Sequence, residues 1–530
     1  MHELLHLSFS AAANHLTTHF FNTQEAYFSY DEDISTNYTI ANENNEAKIK
    51  SNSSQTKIDN YISFRPGIGR DGVTETFTPR CLLWDLKGGH GSLKTYNELY
   101  DTAPDIPSDA VKIEIPRIEE SKYIKALNAT GSTTSPELPT LSSDTTRYWA
   151  DYCNVFHHPR SLLEVSGYVY DPIRAPKGLV RGTSLDGGRQ RSNAEFRGWE
   201  TGVEEFKTEI NSAGAEALDT QFRSMLEECD MLGGVNVVVD VDSAWGGFAS
   251  EALSMIRDEY TPKSAVVVWG MEDPGDLRRD ELKSRIETML ALSSAATAYV
   301  PLALPDSGVF VKSLDSLWEA GAIYNLAFET LTLPARVRVG ESARAELSEL
   351  IEAATKGVEG ERQIVSDVRI AVGENEVAVG GENSVSDSWM DARSRRRSRE
   401  RLTQAKTTVL GSTGVVRGNA SEEELTNAWA RFAGKDTWAL VRDARLAIPR
   451  TVASPELALS AADIVSVGAR STSRTAVQLG NIESFVQRWV RSSERGEILE
   501  QLEETRHQYS SSYRYGDDGG DDDDDDDDDD

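Results

Sequence analysis

Residues 227–260, EECDMLGGVNVVVDVDSAWGGFASEALSMIRDEY, decide the fold of this chain. The apolar run 235–241 is rich in β-branched residues and too short for a buried helix, so it predicts a strand inside a parallel sheet. A turn of small residues follows, and a helical pattern starts near Ala249. Strand, turn and helix in this order place backbone N–H groups and a helix N-terminus where a phosphate can bind. The stretch therefore predicts an α/β protein with a candidate phosphate loop.

Further strands and helices lie on both sides of this stretch. The next apolar run, AVVVWG at 265–270, completes a strand-helix-strand unit and indicates a parallel sheet. Near the N-terminus, 4–9 predicts a strand and 11–21 a helix. A further strand, CLLWDL at 81–86, ends in the glycine-rich loop 87–91. The chain is therefore expected to form a parallel sheet flanked by helices.

The C-terminal part of the chain predicts a second, α+β domain over residues 335–512. The helix that precedes it, 314–333, has a candidate break at Gly321 and ends at Pro334. Periodic stretches then predict a helix at 341–354, strands at 364–372 and 376–379, and a late helix at 485–504.

Charge and composition exclude some classes of partner. The chain has 530 residues and a net charge of −32, and removing the twelve aspartates of 517–530 leaves −20 for the rest. Such an acidic body argues against direct nucleic-acid binding, which needs a basic surface. The Asp-rich tail is expected to be disordered, and it either binds basic surfaces or serves solubility. The basic island 394–401 is interpreted as a solvated loop rather than a site for acidic lipid or protein.

Low-complexity segments and cysteines complete this picture. The polar insertion 42–57 is expected to be disordered, and 127–146 to be a linker or long surface loop. Three cysteines without a pattern indicate a reducing compartment without disulfides. No apolar run reaches membrane-spanning length, so any membrane association is expected to be peripheral.

Histidines four residues apart, His15 and His19, form a candidate metal pair on the first helix. Neither an acidic residue between them nor a third ligand accompanies the pair, so surface or packing histidines are the favoured interpretation. No metal site is predicted.

Five blocks of sequence resemble tubulin in the same order. They are MHELLHLSFSAAANHLTTHFF at the N-terminus, TPRCLLWDLKGGHGSL, the segment around Trp149, the block 229–260, and AIYNLAFETLTL. Four segments of the chain are similar to the Misato/Dml family of tubulin-like proteins. They are HFFNTQEAYFSY, FTPRCLLWDLKGGHGSL, WADY with FHHPRSL, and EECDMLGG. These blocks are scattered over residues 1–334, and together they are far more specific than one glycine-rich loop.

The resemblance implies a tubulin-like fold and a cellular role. Its expected parts are a Misato-type N-terminal segment at 1–120, the rest of the nucleotide-binding-type domain at 145–334, the C-terminal domain at 335–512 and the tail at 513–530. Membership of the Misato/Dml family implies a role in partitioning mitochondria and inheriting mitochondrial DNA. The expected location is the mitochondrial periphery, on the outer surface, together with the cytoplasm. Expected partners are cytoskeletal or mitochondrial-surface proteins.

The chain departs from tubulin where tubulin binds phosphate. Ser10 and three alanines replace the first glycine loop, and alanine Cβ atoms obstruct a close backbone approach. Only Gly247 coincides with the second glycine signature, while Asp240 and Asp242 bring negative charge to the anion position. Lys87 replaces an acid, and no hydrolytic Gly-x-x-Asn-x-Asp-x-x-Glu segment follows Pro334. The leading interpretation is therefore a non-catalytic protein that acts through protein contacts and needs no cofactor.

Two alternatives remain open. One is a residual GTP-binding protein or weak GTPase, with Mg²⁺ offsetting the carboxylates. Tyr324 would stack on the base in that case, although an aromatic at helical spacing more often belongs to a core. The other is a polymer-forming or tubulin-capping protein. The candidate nucleotide-binding residues are Asn14, Asp85, Ser243, Gly246, Gly247 and Tyr324.

Overall fold

The computed structural model of the chain describes a set of ranges separated by gaps. They are residues 2–28, 57–69, 72–73, 75–93, 118–131, 138–172, 196–208, 213–272, 278–303, 316–372, 375–380, 408–418, 421–432, 439–449, 451, 454–455 and 464–510. The predicted insertion up to residue 56, the basic island 394–401 and the tail 513–530 lie outside the described residues.

The strands of the described residues form three sheets. In chain order they are β1 (Glu3–Phe9), β2 (Phe64–Ile68), β3 (Glu75–Pro79), β4 (Cys81–Lys87), β5 (Leu162–Val169), β6 (Leu232–Asp240), β7 (Val266–Glu272), β8 (Ala298–Ala303), β9 (Asp367–Val372), β10 (Asn375–Gly380), β11 (Val409–Arg417), β12 (Ala439–Asp443) and β13 (Val465–Thr472).

The first sheet confirms the predicted α/β architecture. It has six parallel strands in the order β5-β4-β1-β6-β7-β8. Every residue of β1 is buried, and β7 is likewise buried throughout, as expected for strands covered on both faces. Phe9 lies opposite Trp84 of β4 and Val239 of β6, so the loops after these three strands meet at the carboxyl edge of the sheet.

The described residues form twelve α-helices, several of which cover the two faces of this sheet. In chain order they are α1 (Ala11–Glu25), α2 (Lys122–Thr130), α3 (Trp199–Lys207), α4 (Ala215–Ala217), α5 (Arg223–Glu227), α6 (Trp245–Met255), α7 (Arg279–Ala295), α8 (Leu317–Thr332), α9 (Leu347–Thr355), α10 (Glu422–Phe432), α11 (Arg474–Trp489) and α12 (Ser492–Ser510). Single π-helical turns, Leu218–Phe222 and Ile256–Tyr260, continue α4 and α6.

Two side chains of β1 on opposite faces of the sheet, His6 and Phe9, show which helices lie on each face. The His6 ring packs on Phe20 of α1 and Phe328 of α8, with ring centroids 4.7 and 6.0 Å away. The Phe9 ring points the other way and lies 6.1 Å from Phe248 of α6. Helices α3 and α7 pack on α6 in turn. The sheet is therefore sandwiched between the α1–α8 pair and the α3–α6–α7 group.

A second sheet belongs to the C-terminal part of the chain. Its order is β10-β9-β13-β11-β12, antiparallel except for the parallel β11–β12 pair. Helix α8 packs against strands of this sheet as well as against α1, so it is shared by both halves. The fold therefore has the predicted parallel sheet flanked by helices and, as also predicted, a separate C-terminal sheet with helices.

Several predicted helix boundaries were wrong. Helix α6 begins at Trp245 rather than near Ala249, because Gly246 and Gly247, which were predicted to lie in the preceding turn, belong to its first helical turn and pack against neighbouring helices. Helix α8 runs through Gly321 without a break, because that glycine packs on the backbone of His15 in α1. The predicted helix at 341–354 starts only at Leu347.

Two further segments also differ from their predicted bounds. The predicted late helix at 485–504 is two helices, α11 and α12, separated at Val490 and Arg491. The predicted linker at 127–146 begins inside α2, which ends at Thr130 before the left-handed Gly131. None of the described helices is both long enough and apolar enough to cross a membrane.

Candidate functional site

Two of the candidate residues, Asn14 and Asp85, meet at the carboxyl edge of the sheet. Asn14 lies in the first turn of α1, directly after β1, and its side-chain Nδ2 donates to the Trp84 carbonyl at 2.9 Å and to Asp85 Oδ2 at 3.1 Å. Trp149 Nε1 donates to the same carboxylate oxygen at 3.2 Å. The Leu86 amide donates to the other oxygen at 2.8 Å. All four of these hydrogen bonds are made within the protein itself.

The Asp85 carboxyl is sealed from solvent. Its exposed fraction is 0%, and burial raises its pKa from 3.8 to about 7 although three hydrogen bonds oppose that shift. The loop after β4 folds over the group so closely that a Cβ atom on Gly89 would lie 2.2 Å from Asp85 Oδ1. A metal ion or phosphate has no access to this carboxyl in the observed arrangement.

Ser10 takes the place of the first glycine in the loop that resembles tubulin. It keeps a backbone conformation that favours glycine, with φ of 121°. Its hydroxyl accepts a hydrogen bond from the Ala13 amide at 3.1 Å, which caps the N-terminus of α1. The helix end where tubulin holds phosphate is thus capped by a side chain of the protein.

The negative charge of Asp242 is neutralised inside the protein. Arg285 of α7 forms two hydrogen bonds with this carboxylate, from Nε at 2.5 Å and from Nη2 at 2.6 Å. Its Nη1 also lies 3.5 Å from Glu272 Oε2 at the end of β7. The Arg285 side chain is 1% exposed. A buried ion pair of this geometry takes the role that a bridging cation would need to play beside a triphosphate.

The rest of the loop between β6 and α6 is also occupied by internal contacts. The Asp240 carboxyl accepts from the Asp242 amide at 3.1 Å, and burial followed by the neighbouring Asp242 charge raises its pKa to about 6. Ser243 Oγ accepts from the Trp245 amide at 3.3 Å. The Ala244 amide donates to the Phe196 carbonyl at 3.4 Å. These N–H groups are therefore not directed at a ligand.

Gly246 and Gly247 lie in the first turn of α6, and both are required for helix packing. A Cβ atom on Gly247 would lie 1.9 Å from the backbone oxygen of Trp199 at the start of α3. A Cβ atom on Gly246 would lie 2.1 Å from Thr288 Oγ1 of α7. The approach is reciprocal, because a Cβ atom on Gly202 of α3 would lie 1.8 Å from the Ala244 oxygen. The two glycines let neighbouring helices cover the N-terminus of α6.

Tyr324 lies in the core rather than on a surface. Its exposed fraction is 0%, and its hydroxyl donates to the Glu272 carbonyl at 3.3 Å. Glu272 also contacts Arg285, so Tyr324 is connected through it to the Asp242 pair. Stacking on a guanine would require this side chain to leave the core.

The residues of the site do not fit a nucleoside triphosphate. The described loops after β1 and β6 carry alanine side chains and amides that are hydrogen-bonded within the protein. Helix α3 covers the N-terminus of α6. The carboxylates that would face Mg²⁺ are held by Arg285 or buried beneath Gly89. The arrangement favours a rigid joint between strands and helices over phosphate chemistry.

Sequence reasoning missed the residues that complete this joint, namely Trp199, Arg285, Thr288 and the carboxylate Glu272. Nothing in the sequence around Arg285 distinguishes it from other helix arginines. Gly202 was the available signal, because an isolated glycine inside a helical stretch indicates a close approach of another backbone.

The paired histidines of α1 are packing residues. His15 Nδ1 lies 2.7 Å from the Tyr152 hydroxyl, and His19 Nε2 donates to the Trp318 carbonyl at 2.8 Å. Among the described residues, no group of three or more His, Cys, Asp and Glu side chains is placed to hold a metal ion.

Comparison with known protein families divides the chain into two matched regions. Residues 2–129 match the model of the Misato Segment II tubulin-like domain, and residues 138–337 match the model of the tubulin domain. Together these regions contain all six strands of the parallel sheet and the candidate residues from Asn14 to Tyr324.

Several fungal proteins are similar to this chain over about two thirds of its length. Protein DML1 of Yarrowia lipolytica is 34% identical over 378 residues, which cover 69% of this chain and 71% of that protein. Protein DML1 of Coccidioides immitis is 33% identical over 64% of this chain and 59% of its own length. Protein dml1 of Aspergillus niger is 33% identical over 66% and 64%.

Proposed function

The chain belongs to the Misato/Dml family of tubulin-like proteins, and from that membership we propose a non-catalytic protein that takes part in partitioning mitochondria and inheriting mitochondrial DNA. It acts through protein contacts made by a tubulin-like scaffold. The mitochondrial role rests on the family resemblance, and the absence of catalysis rests on the chemistry of the site.

One observation carries the non-catalytic part of the proposal. Gly246 and Gly247 are in contact with Thr288 and with the Trp199 backbone, where a phosphate-binding loop would leave its amides open. The pairing of Asp242 with Arg285 supports the same conclusion, because an internal cation already satisfies the carboxylate. A triphosphate would have to displace both contacts.

Calorimetric titration of the full chain with GTP and Mg²⁺ tests this part. We expect no binding with a Kd below about 100 μM, which corresponds to roughly −5.5 kcal/mol. Tight GTP binding by the wild type that is lost in a folded Asn14→Ala variant would overturn it. Circular dichroism of the variant provides the control for folding.

Residual GTP binding is the second candidate function. It is favoured by Asn14 and Asp85, which match the tubulin residues in the first two loops and are joined by a hydrogen bond at the ends of β1 and β4. In this case Asp85 would have to be exposed by movement of the loop around Gly89. The titration described above separates the two candidates.

The proposed location is the mitochondrial periphery, with cytoskeletal or mitochondrial-surface proteins as partners. A tagged full-length chain is expected to co-fractionate with mitochondria and to be released by high salt or alkali, because peripheral contacts between proteins are weakened by both. Recovery of the tagged chain in the soluble cytosol alone would contradict this location.

A further inference from the structure

A small basic pocket lies at the amino edge of the parallel sheet, opposite the candidate site. Its volume is about 70 Å³, room for about five water-sized groups. Arg80 directly precedes β4 and Ser161 directly precedes β5, while Arg65 of β2 and Ser224 of α5 form the sides. Four separate elements therefore converge on one concave surface.

The charge of this pocket is opposite to that of the chain. Three arginines line it, namely Arg65, Arg80 and Arg160, against the single carboxylate of Glu228. Glu228 Oε1 pairs with Arg65 Nη1 at 2.7 Å, which leaves Arg80 and Arg160 to supply excess positive charge. In a protein of net charge −32, such a concentration of guanidinium groups makes this pocket locally attractive to anions.

Arg80 is a buried cation with weak partners. Its exposed fraction is 7%, and its Nε makes no hydrogen bond within the described residues. Nη1 lies 3.7 Å from the Cys229 sulfur, and Nη2 lies 4.0 Å from Glu3 Oε1. The Glu3 carboxylate is already occupied, because it accepts from the Asp230 and Met231 amides at 3.4 and 3.0 Å. A buried guanidinium in this state gains considerably from an added anion.

The remaining walls carry polar groups without partners. Within the described residues, the Arg160 side chain makes no hydrogen bond or ion pair, and it is exposed at the pocket mouth. The Ser161 and Ser224 hydroxyls likewise have no hydrogen-bond partner among the described residues. Two guanidinium groups with two hydroxyls match the donors that surround phosphate in proteins.

We propose that this pocket binds a phosphate group, either as the free ion or as a phosphate monoester. Arg80 holds the anion from the buried end, Arg160 closes on it from the mouth, and the two serines donate to its remaining oxygens. A phosphate has five heavy atoms, which agrees with the space available. The site is distinct from the eroded nucleotide loops and independent of the proposed mitochondrial role.

Calorimetric titration of the full chain in phosphate-free buffer tests this site, with inorganic phosphate and O-phosphoserine as separate probes and acetate as a singly charged comparison. The salt concentration is set at about 0.15 M so that charges beyond about 8 Å are screened. We expect saturable binding of phosphate or phosphoserine, and the tighter of the two identifies the source of the group. The Arg160→Gln variant is expected to weaken binding about tenfold, the weight of one charge-assisted hydrogen bond.

Matched variants keep the test decisive. Arg223→Gln removes the same charge from a 60% exposed arginine on α5 that does not line the pocket, and it should bind like the wild type. Arg80→Lys keeps the charge but removes the paired guanidinium donors, and it should weaken phosphate binding further. If this variant fails to fold, the Arg160→Gln result alone decides. Absence of saturable binding, equal loss in Arg223→Gln, or acetate bound as tightly as phosphate would overturn the proposal.

Discussion

At the scale of single residues, the role of a glycine depends on which atom would contact a Cβ added at its position. In a phosphate loop that atom belongs to the ligand, whereas here Gly247 faces the Trp199 carbonyl and Gly246 faces Thr288. Both glycines thus keep the residue type expected of a nucleotide loop while serving helix packing. Their contribution to the free energy of unfolding should therefore be the same with or without a nucleotide.

The Gly247→Ala substitution is expected to lower the free energy of unfolding by about 3 kcal/mol, because a Cβ placed 1.9 Å from a backbone oxygen forces α3 and α6 apart. Urea denaturation followed by circular dichroism measures the change. Gly496→Ala in α12 is the control, since no atom lies within 4 Å of its Cβ position. That variant should gain about 0.5–1 kcal/mol from helix propensity. A Gly247→Ala variant as stable as the wild type would refute the packing role.

At the scale of elements, one buried ion network joins the two halves of the molecule. Glu329 of α8 pairs with Arg336 at 3.4 Å and with Arg417 of β11. Tyr27, just beyond α1, donates to the same carboxylate at 3.1 Å and contacts Arg417. The three charged side chains are 1–2% exposed. Helix α8 is therefore connected to both sheets through a single carboxylate.

The Glu329→Gln substitution should destabilise the protein by roughly 3–5 kcal/mol, because two buried guanidinium groups would lose their counter-charge. Glu227→Gln is the matched control, since it makes the same change in an exposed pair with Arg223 whose side chains are 60% and 67% exposed. Its effect should be about 0.5 kcal/mol or less. Thermal unfolding of both variants distinguishes the outcomes, and equal shifts would rule out a special role for the network.

At the scale of the whole molecule, buried histidines link folding to pH. Burial is the largest cause that lowers the pKa of five imidazoles from 6.5, to about 3 or about 4. They are His6, His15, His19, His90 and His157. The unfolded chain takes up protons below pH 6.5 where the folded chain does not. Stability from these groups is complete above pH 6.5 and is lost as the pH falls toward about 3–4.

Carboxyls with raised pKa values act in the opposite direction. The folded-state pKa of Asp85 and that of Glu287 are raised to about 7, and that of Asp240 to about 6, so these groups favour the folded state as the pH falls through the same window. The five histidines outweigh these carboxyls. We expect the free energy of unfolding to fall by on the order of 4 kcal/mol between pH 7 and pH 5.

Urea midpoints measured across this pH range check the expectation. His15→Gln should reduce the slope because it removes one buried imidazole. A stability that stays constant from pH 7 to pH 5 would contradict the protonation account.

Much of the first sheet was predictable because its signals are local. The runs at 235–241 and 265–270 are β-branched and bounded by turns, and the structure places both as neighbouring parallel strands. The start of α6 at Trp245 and the continuation of α8 through Gly321 were less predictable. Both depend on contacts with other helices rather than on the neighbouring residues in the sequence. Of the candidate site, the sequence indicated that the loops carry the wrong residues for phosphate. It could not show which protein groups contact these loops in the folded chain.

The sequence by itself determined the α/β architecture, the parallel arrangement of its central sheet and the family, because hydrophobic periodicity and block order are properties of the linear chain. The tertiary structure alone decided what the loop between β6 and α6 does. Arg285 neutralises Asp242, and the Trp199 carbonyl occupies the space beside Gly247. Both partners come from distant parts of the chain, and clearance of a few ångströms or the pairing of a buried charge arises only when folding brings them together.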